Sequence, residues 1–173
     1  MKRVAVLIEN QFDEKELIYP YFRLLEAGYK VDLVGSEKYV DYVSKSGYKE
    51  KSTHSSDEIS ARDYDAVVIP GGFSPDYMRR CDATLKFVVE MDEAKKPIAT
   101  ICHGGWMLAS CCDLRSKKVT CYHSIKDDLI NAGGIYVDEP VVISDNLIMS
   151  RTPKDLPDFM KSVIEMIDRW FYV

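Results

Sequence analysis

The chain has 173 residues, 46% hydrophobic and 29% charged, which suits one compact domain over residues 1–173 with a full core. A formal net charge of −5, with no run of Lys and Arg longer than three residues, argues against nucleic acid as a partner. Met1-Lys2-Arg3 leads into only five apolar residues before Glu9, too few for a signal peptide or a membrane span, so a cytoplasmic location without membrane contact is expected.

Arg3 to Ile8 is a short Val/Ile-rich run and predicts a buried strand. Glu14 to Ala27 predicts a helix, because Leu17, Tyr21, Leu24 and Leu25 recur at helical spacing and Gly28 suits a left-handed cap; Pro20 predicts a kink. Lys30 to Val34 is the next strand. From Glu37 to Ser60 periodicity weakens, and Tyr39 to Val43 alternates enough for a small peripheral hairpin.

Ala66 to Ile69 predicts a buried strand ending in Pro70-Gly71-Gly72, followed by a short helix from about Pro75 and a longer one from Asp82 to Ala94. Ile98 to Ile101 predicts a strand that feeds a helix from His103 to about Cys111. Val119 to Tyr122 predicts a further strand, Ile125 to Asn131 a short helix, and Val141 to Ile143 with Leu147 to Met149 a hairpin. The last helix is expected from Lys154 or Asp155 to Trp170. Strands alternating with helices imply a mostly parallel sheet covered on both faces, with ligands held beyond the carboxyl ends of its strands.

The glycine pairs Gly71-Gly72 and Gly104-Gly105 fall at two such ends. Cys102, between a strand and a helix, suits a nucleophile elbow, and the start of the next helix would favour its thiolate. It equally suits a buried thiol packed as a small hydrophobe. His103 is a candidate general base or acid, or a cap of the following helix. Gly72 permits a backbone amide to approach an oxyanion together with the amide of His103. The five cysteines, Cys81, Cys102, Cys111, Cys112 and Cys121, contain no Cys-x-x-Cys pair, so neither a disulfide framework nor a metal site is expected.

Several segments resemble the PfpI-type intracellular proteases, within the superfamily of the parkinsonism-associated deglycase and with a class I glutamine amidotransferase-like fold. They are residues 12–21 (Phe-Asp-Glu-Lys-Glu-Leu-Ile-Tyr-Pro-Tyr), Val68-Ile69-Pro70-Gly71-Gly72, residues 99–104 (Ala-Thr-Ile-Cys-His-Gly), residues 125–133 (Ile-Lys-Asp-Asp-Leu-Ile-Asn-Ala-Gly) and Ser150-Arg151-Thr152-Pro153. The resemblance implies an α/β flavodoxin-like three-layer sandwich with a nucleophile elbow at Cys102, and no cofactor.

It further implies that Gly72 and His103 supply oxyanion amides, that Glu16 contacts the thiol, and that Tyr122 lies near the substrate. Helical periodicity alone ranks Glu14 and Glu16 equally; the resemblance selects Glu16, whose carboxyl beside a thiolate would hold its proton. In the family's proteases an acidic residue after the Pro-Gly-Gly turn comes from a neighbouring subunit, and Asp76 occupies that position here. Thr152 stands where members often carry His, and Arg151 is expected in a structural ion pair. Trp106 either walls the pocket or packs in the core.

The implied assembly is a homo-oligomer, a dimer or a hexamer built from dimers. The implied activity is cysteine-dependent hydrolase or lyase chemistry on small carbonyls, of the glyoxalase III or deglycase type. One alternative is a peptidase with a Cys-His-Asp/Glu arrangement at a subunit interface. Another is a redox-sensing or chaperone protein with an oxidisable Cys102.

Overall fold

The computed structural model describes residues 1–169. Strand β1 (Arg3–Leu7) leads into helix α1 (Glu14–Glu26), which Asp13 caps by accepting hydrogen bonds from the backbone N–H groups of Lys15 and Glu16. The helix continues through Pro20. Strand β2 (Lys30–Gly35) follows, then a hairpin of β3 (Asp41–Val43) and β4 (Lys49–Lys51), and a two-residue strand β5 (His54–Ser55).

Strand β6 (Ala66–Ile69), helices α2 (Ser74–Met78) and α3 (Asp82–Glu93), strand β7 (Ile98–Ile101) and helix α4 (Gly105–Cys111) form the middle of the chain. Next come β8 (Lys118–Val119), α5 (Lys126–Asn131), β9 (Ile135–Tyr136), β10 (Val141–Ser144) and β11 (Leu147–Ser150). Helix α6 (Leu156–Arg169) ends the described part, and the expected helix end at Trp170 lies outside the described residues.

Seven strands make one sheet in the order β10-β11-β7-β6-β1-β2-β5, parallel throughout except for the β10–β11 hairpin. Two-residue periodicity sorts its side chains to two faces. Val4, Val6 and Val68 join Leu17 and Leu24 of α1 and Phe159 and Val163 of α6 on one side. Ala5, Leu7, Val67 and Ile69 meet Phe87 and Met91 of α3 and Leu108 of α4 on the other. The result is a flavodoxin-like sandwich of three layers, as expected.

Its chain order reverses between β1 and β6, the place where open α/β sheets leave a crevice. The carboxyl ends of β1, β6 and β7 converge there.

Three expectations change. Thr120 to Tyr122 is not a strand, because the Tyr122 N–H is drawn to the Cys102 carbonyl at 3.2 Å and a 3-10 turn, His123–Ile125, follows. β8 pairs instead with β9, which carries no strand signal of its own length. The 37–60 excursion is not merely peripheral, since His54–Ser55 extends the sheet edge and the hairpin tip docks on the start of α1.

Candidate active site

Two loops and a helix build the site. The first leaves β6 as Pro70-Gly71-Gly72, and each glycine there has a steric reason. A Cβ on Gly71 would come within 2.6 Å of Glu16 Oε2 and 2.9 Å of both Cys102 Cβ and His103 N. Gly72 has φ +72° and forms a bridge with Phe12, so that a Cβ would fall on the Gln11 carbonyl oxygen.

The second loop leaves β7, and Cys102 takes φ 59°, a left-handed conformation rare for a residue with a Cβ. The chain turns there through Cys102–Gly104 into α4. This is the sharp elbow that the strand-Cys-His-Gly-Gly pattern predicts, and it directs the amides of His103 and Gly72 toward the sulfur.

The third segment is α1. Glu16 is 1% exposed; its Oε2 accepts the Gly71 N–H at 2.7 Å, while Oε1 is buried without a hydrogen bond. The two helix carboxylates have separate surroundings. Glu14 turns to the hairpin, where hydrogen bonds from Ser44 and Ser46 outweigh its partial desolvation and hold it at about 2. Burial, and then the charge of Asp13, push Glu16 up to about 8, so it is protonated at neutral pH.

Burial and the Glu16 charge also raise the Cys102 thiol, against the pull of the His103 and Gly72 amides. The residue is only 9% exposed, so desolvation of the charged form opposes the thiolate that the elbow amides favour. Ionisation of the thiol therefore needs a partner that takes its proton. His103 Nδ1 lies 3.3 Å from Sγ, and burial, followed by the charges of Lys45 and His123, lowers the imidazole below its ordinary value. At neutral pH the ring is neutral and able to accept a proton.

His103 Nε2 lies 3.3 Å from Ser124 Oγ, and its ring stacks on Tyr122 with centroids 5.1 Å apart. Tyr122 thus lies against the imidazole. Asp76 does not reach His103 of the same chain; it pairs with Arg80 one turn along. Arg151 is ion-paired with Asp155 at 3.1 Å and Asp138 at 2.9 Å, the structural role expected. Trp106 borders the site, its ring edge-on to His103 at 5.1 Å.

Sequence reasoning missed Lys45. From the hairpin tip its backbone N–H donates to the Phe12 carbonyl at 3.1 Å and its ammonium pairs with Asp13 at 2.9 Å, at the cap of the helix that carries Glu16. No local signal marked it, because 32 residues separate it from Asp13. Among the described residues no group of three His, Cys, Asp or Glu is placed to hold a metal, and no helix is long and apolar enough to cross a membrane.

Residues 2–166 match the DJ-1/PfpI family. The chain belongs to that family. A deglycase named PfpI from Pyrococcus furiosus is 38% identical over 165 residues, 95% of this chain and 99% of that one. A Bacillus subtilis protein, YraA, which carries the provisional name of a cysteine protease, is 40% identical over 166 residues, 96% of this chain and 98% of its own.

Among solved structures, a two-domain Anabaena variabilis protein with DJ-1/ThiJ/PfpI-like and ferritin-like domains superposes with a TM-score of 0.94. It is 39% identical, and the match covers 97% of this chain and 48% of that one. Family relatives thus carry both deglycase and protease names.

Proposed function

We propose that this DJ-1/PfpI protein is a cysteine-dependent lyase or hydrolase of small reactive carbonyls, with glyoxalase- or deglycase-type chemistry at Cys102. One observation carries the reading: a thiol flanked by two proton carriers, a neutral His103 at 3.3 Å and a buried Glu16 carboxyl raised to about 8. Shuttling hydrogen between adjacent carbons needs such a pair.

With methylglyoxal, Sγ bonds to the aldehyde carbon as the thiol proton passes to His103 Nδ1. The oxygen charge that develops faces the amides of Gly72 and His103. Proton return from His103 to that oxygen completes a hemithioacetal. His103 then removes the hydrogen left on the former aldehyde carbon while Glu16 protonates the ketone oxygen, giving an enediol. His103 reprotonates the adjacent carbon as Glu16 recovers a proton from the remaining enol hydroxyl, leaving a thioester. Water cleaves the thioester to lactate and the free thiol, so the overall change is addition of one water with no external oxidant or reductant.

Peptide hydrolysis is the second reading. It is favoured by the Nε2 side of His103, which meets only the Ser124 hydroxyl among the described residues and takes no orienting carboxylate from its own chain. In that reading Asp76 acts across an oligomer interface. The deciding experiment compares the purified protein and Cys102→Ser on methylglyoxal and on fluorogenic peptides without added cofactor. Lactate formation that Cys102→Ser abolishes supports the first reading; peptide cleavage without lactate formation overturns it in favour of the second.

A further inference from the structure

On the surface beside the nucleophile, aromatic rings gather in a continuous run. Tyr77 stands edge-on to Phe73 at 6.1 Å, Phe73 edge-on to Trp106 at 5.9 Å, and Trp106 edge-on to His103 at 5.1 Å. His103 stacks on Tyr122 at 5.1 Å and Tyr122 leans on His123 at 4.5 Å. Six rings from α2 and the turn before it, the Cys102–Gly104 elbow, α4 and the β8–α5 connection thus form one ribbon, and one of its inner members is the imidazole 3.3 Å from Sγ.

The rings are held in place by polar groups at their edges. The Trp106 indole donates to Asp128 Oδ2 at 2.7 Å. The Arg80 guanidinium covers Tyr77 at 4.5 Å and is anchored by Asp76, which gives that carboxylate a task within the chain. Phe73 nevertheless remains 45% exposed, a large apolar ring open to solvent that connects through Trp106 to His103, the partner of the thiol. Leaving such a ring uncovered forgoes hydrophobic stabilisation, and the run of rings leads from it to the imidazole 3.3 Å from Sγ.

We infer that Phe73 and Trp106 form an aryl-binding shelf, so that the site prefers carbonyl substrates carrying a planar aromatic group over their alkyl counterparts. The shelf rests on the carbonyl-directed reading above only for the identity of the reacting group. An edge-to-face or offset contact with two pre-positioned rings favours an aryl substituent over a methyl group, which has no ring to pair with them.

Two measurements test it separately. The first is alkylation of Cys102 by N-phenyliodoacetamide and by iodoacetamide, mapped by mass spectrometry, which reports binding beside the thiol whether or not the protein turns over carbonyls. The second is the ratio of kcat/KM for phenylglyoxal to that for methylglyoxal. Relative to wild type, Phe73→Ala and Trp106→Ala should each lower the aryl-to-alkyl ratio in both assays by about fivefold. Phe73→Leu, apolar without a ring, should lower it as Phe73→Ala does.

If no carbonyl is turned over but the alkylation ratio falls, the shelf stands and the carbonyl reading fails. Alkylation ratios unchanged in both alanine variants overturn the shelf. They overturn it equally whether sedimentation finds a monomer or an oligomer.

Discussion

The backbone N–H of Gly71 donates to Glu16 Oε2 at 2.7 Å across 55 residues of sequence. The bond fixes the carboxyl, protonated at neutral pH, against the elbow. Glu16→Gln keeps an oxygen to accept this bond and loses only the exchangeable acid proton. Its methylglyoxal turnover should fall by about 100-fold with the fold retained. Turnover within about threefold of wild type, roughly 0.7 kcal/mol of barrier, removes Glu16 from the mechanism.

Activity should follow a bell-shaped pH profile. His103 must be neutral to accept the thiol proton, so the acid limb lies below the ordinary histidine value, where burial and Lys45 place it. Glu16 must be protonated to donate, so the alkaline limb lies at about 8. Replacing Lys45 with Met removes a positive charge near the imidazole, and the acid limb should move to higher pH. Profiles of kcat/KM for both proteins check this; a coincident acid limb dissociates Lys45 from the site's electrostatics.

Stability should depend on pH through the same carboxyl. The folded protein holds the Glu16 proton up to about 8, whereas the unfolded chain releases it near the ordinary value of 4.5. The folded state thus binds the extra proton between those limits, and stability declines as pH rises through that window. Cys102, also raised by burial, acts in the same direction at higher pH. Melting temperatures from pH 5 to pH 9 should fall more steeply in wild type than in Glu16→Gln. Parallel curves contradict the assignment of a raised Glu16.

The left-handed elbow has a measurable energetic cost. At φ 59° a Cβ is strained, so Cys102→Gly should unfold at higher urea concentration than Cys102→Ala, by about 1 kcal/mol in stability. Both should lack activity. Equal midpoints would mean that the turn relaxes once the sulfur is gone.

Much of this was readable in the residues. The mostly apolar runs of β1, β2, β6 and β7 are short, rich in branched residues and bounded by polar residues, glycine or proline, and Cys102 betrayed its turn because an apolar strand ends directly in Cys-His-Gly-Gly. Thr120 and Cys121 misled because burial without a ladder leaves the same apolar signature as a strand. The two-residue strands β5, β8 and β9 are too short to show alternation. The raised thiol and the reach of Lys45 depend on what surrounds them in space, which neighbouring residues in sequence do not report.

The Gly71–Glu16 bond and the Cys102 elbow lie in segments that the pairing of β1, β6 and β7 brings together. Closing loops of this length precedes any reward from the contacts they allow. A nascent or partly folded chain therefore carries an ordinary thiol in water, and its chemistry is silent until the sheet is complete. Catalytic competence thus reports on the global fold: during refolding, turnover should appear with the last cooperative phase rather than with early helix formation.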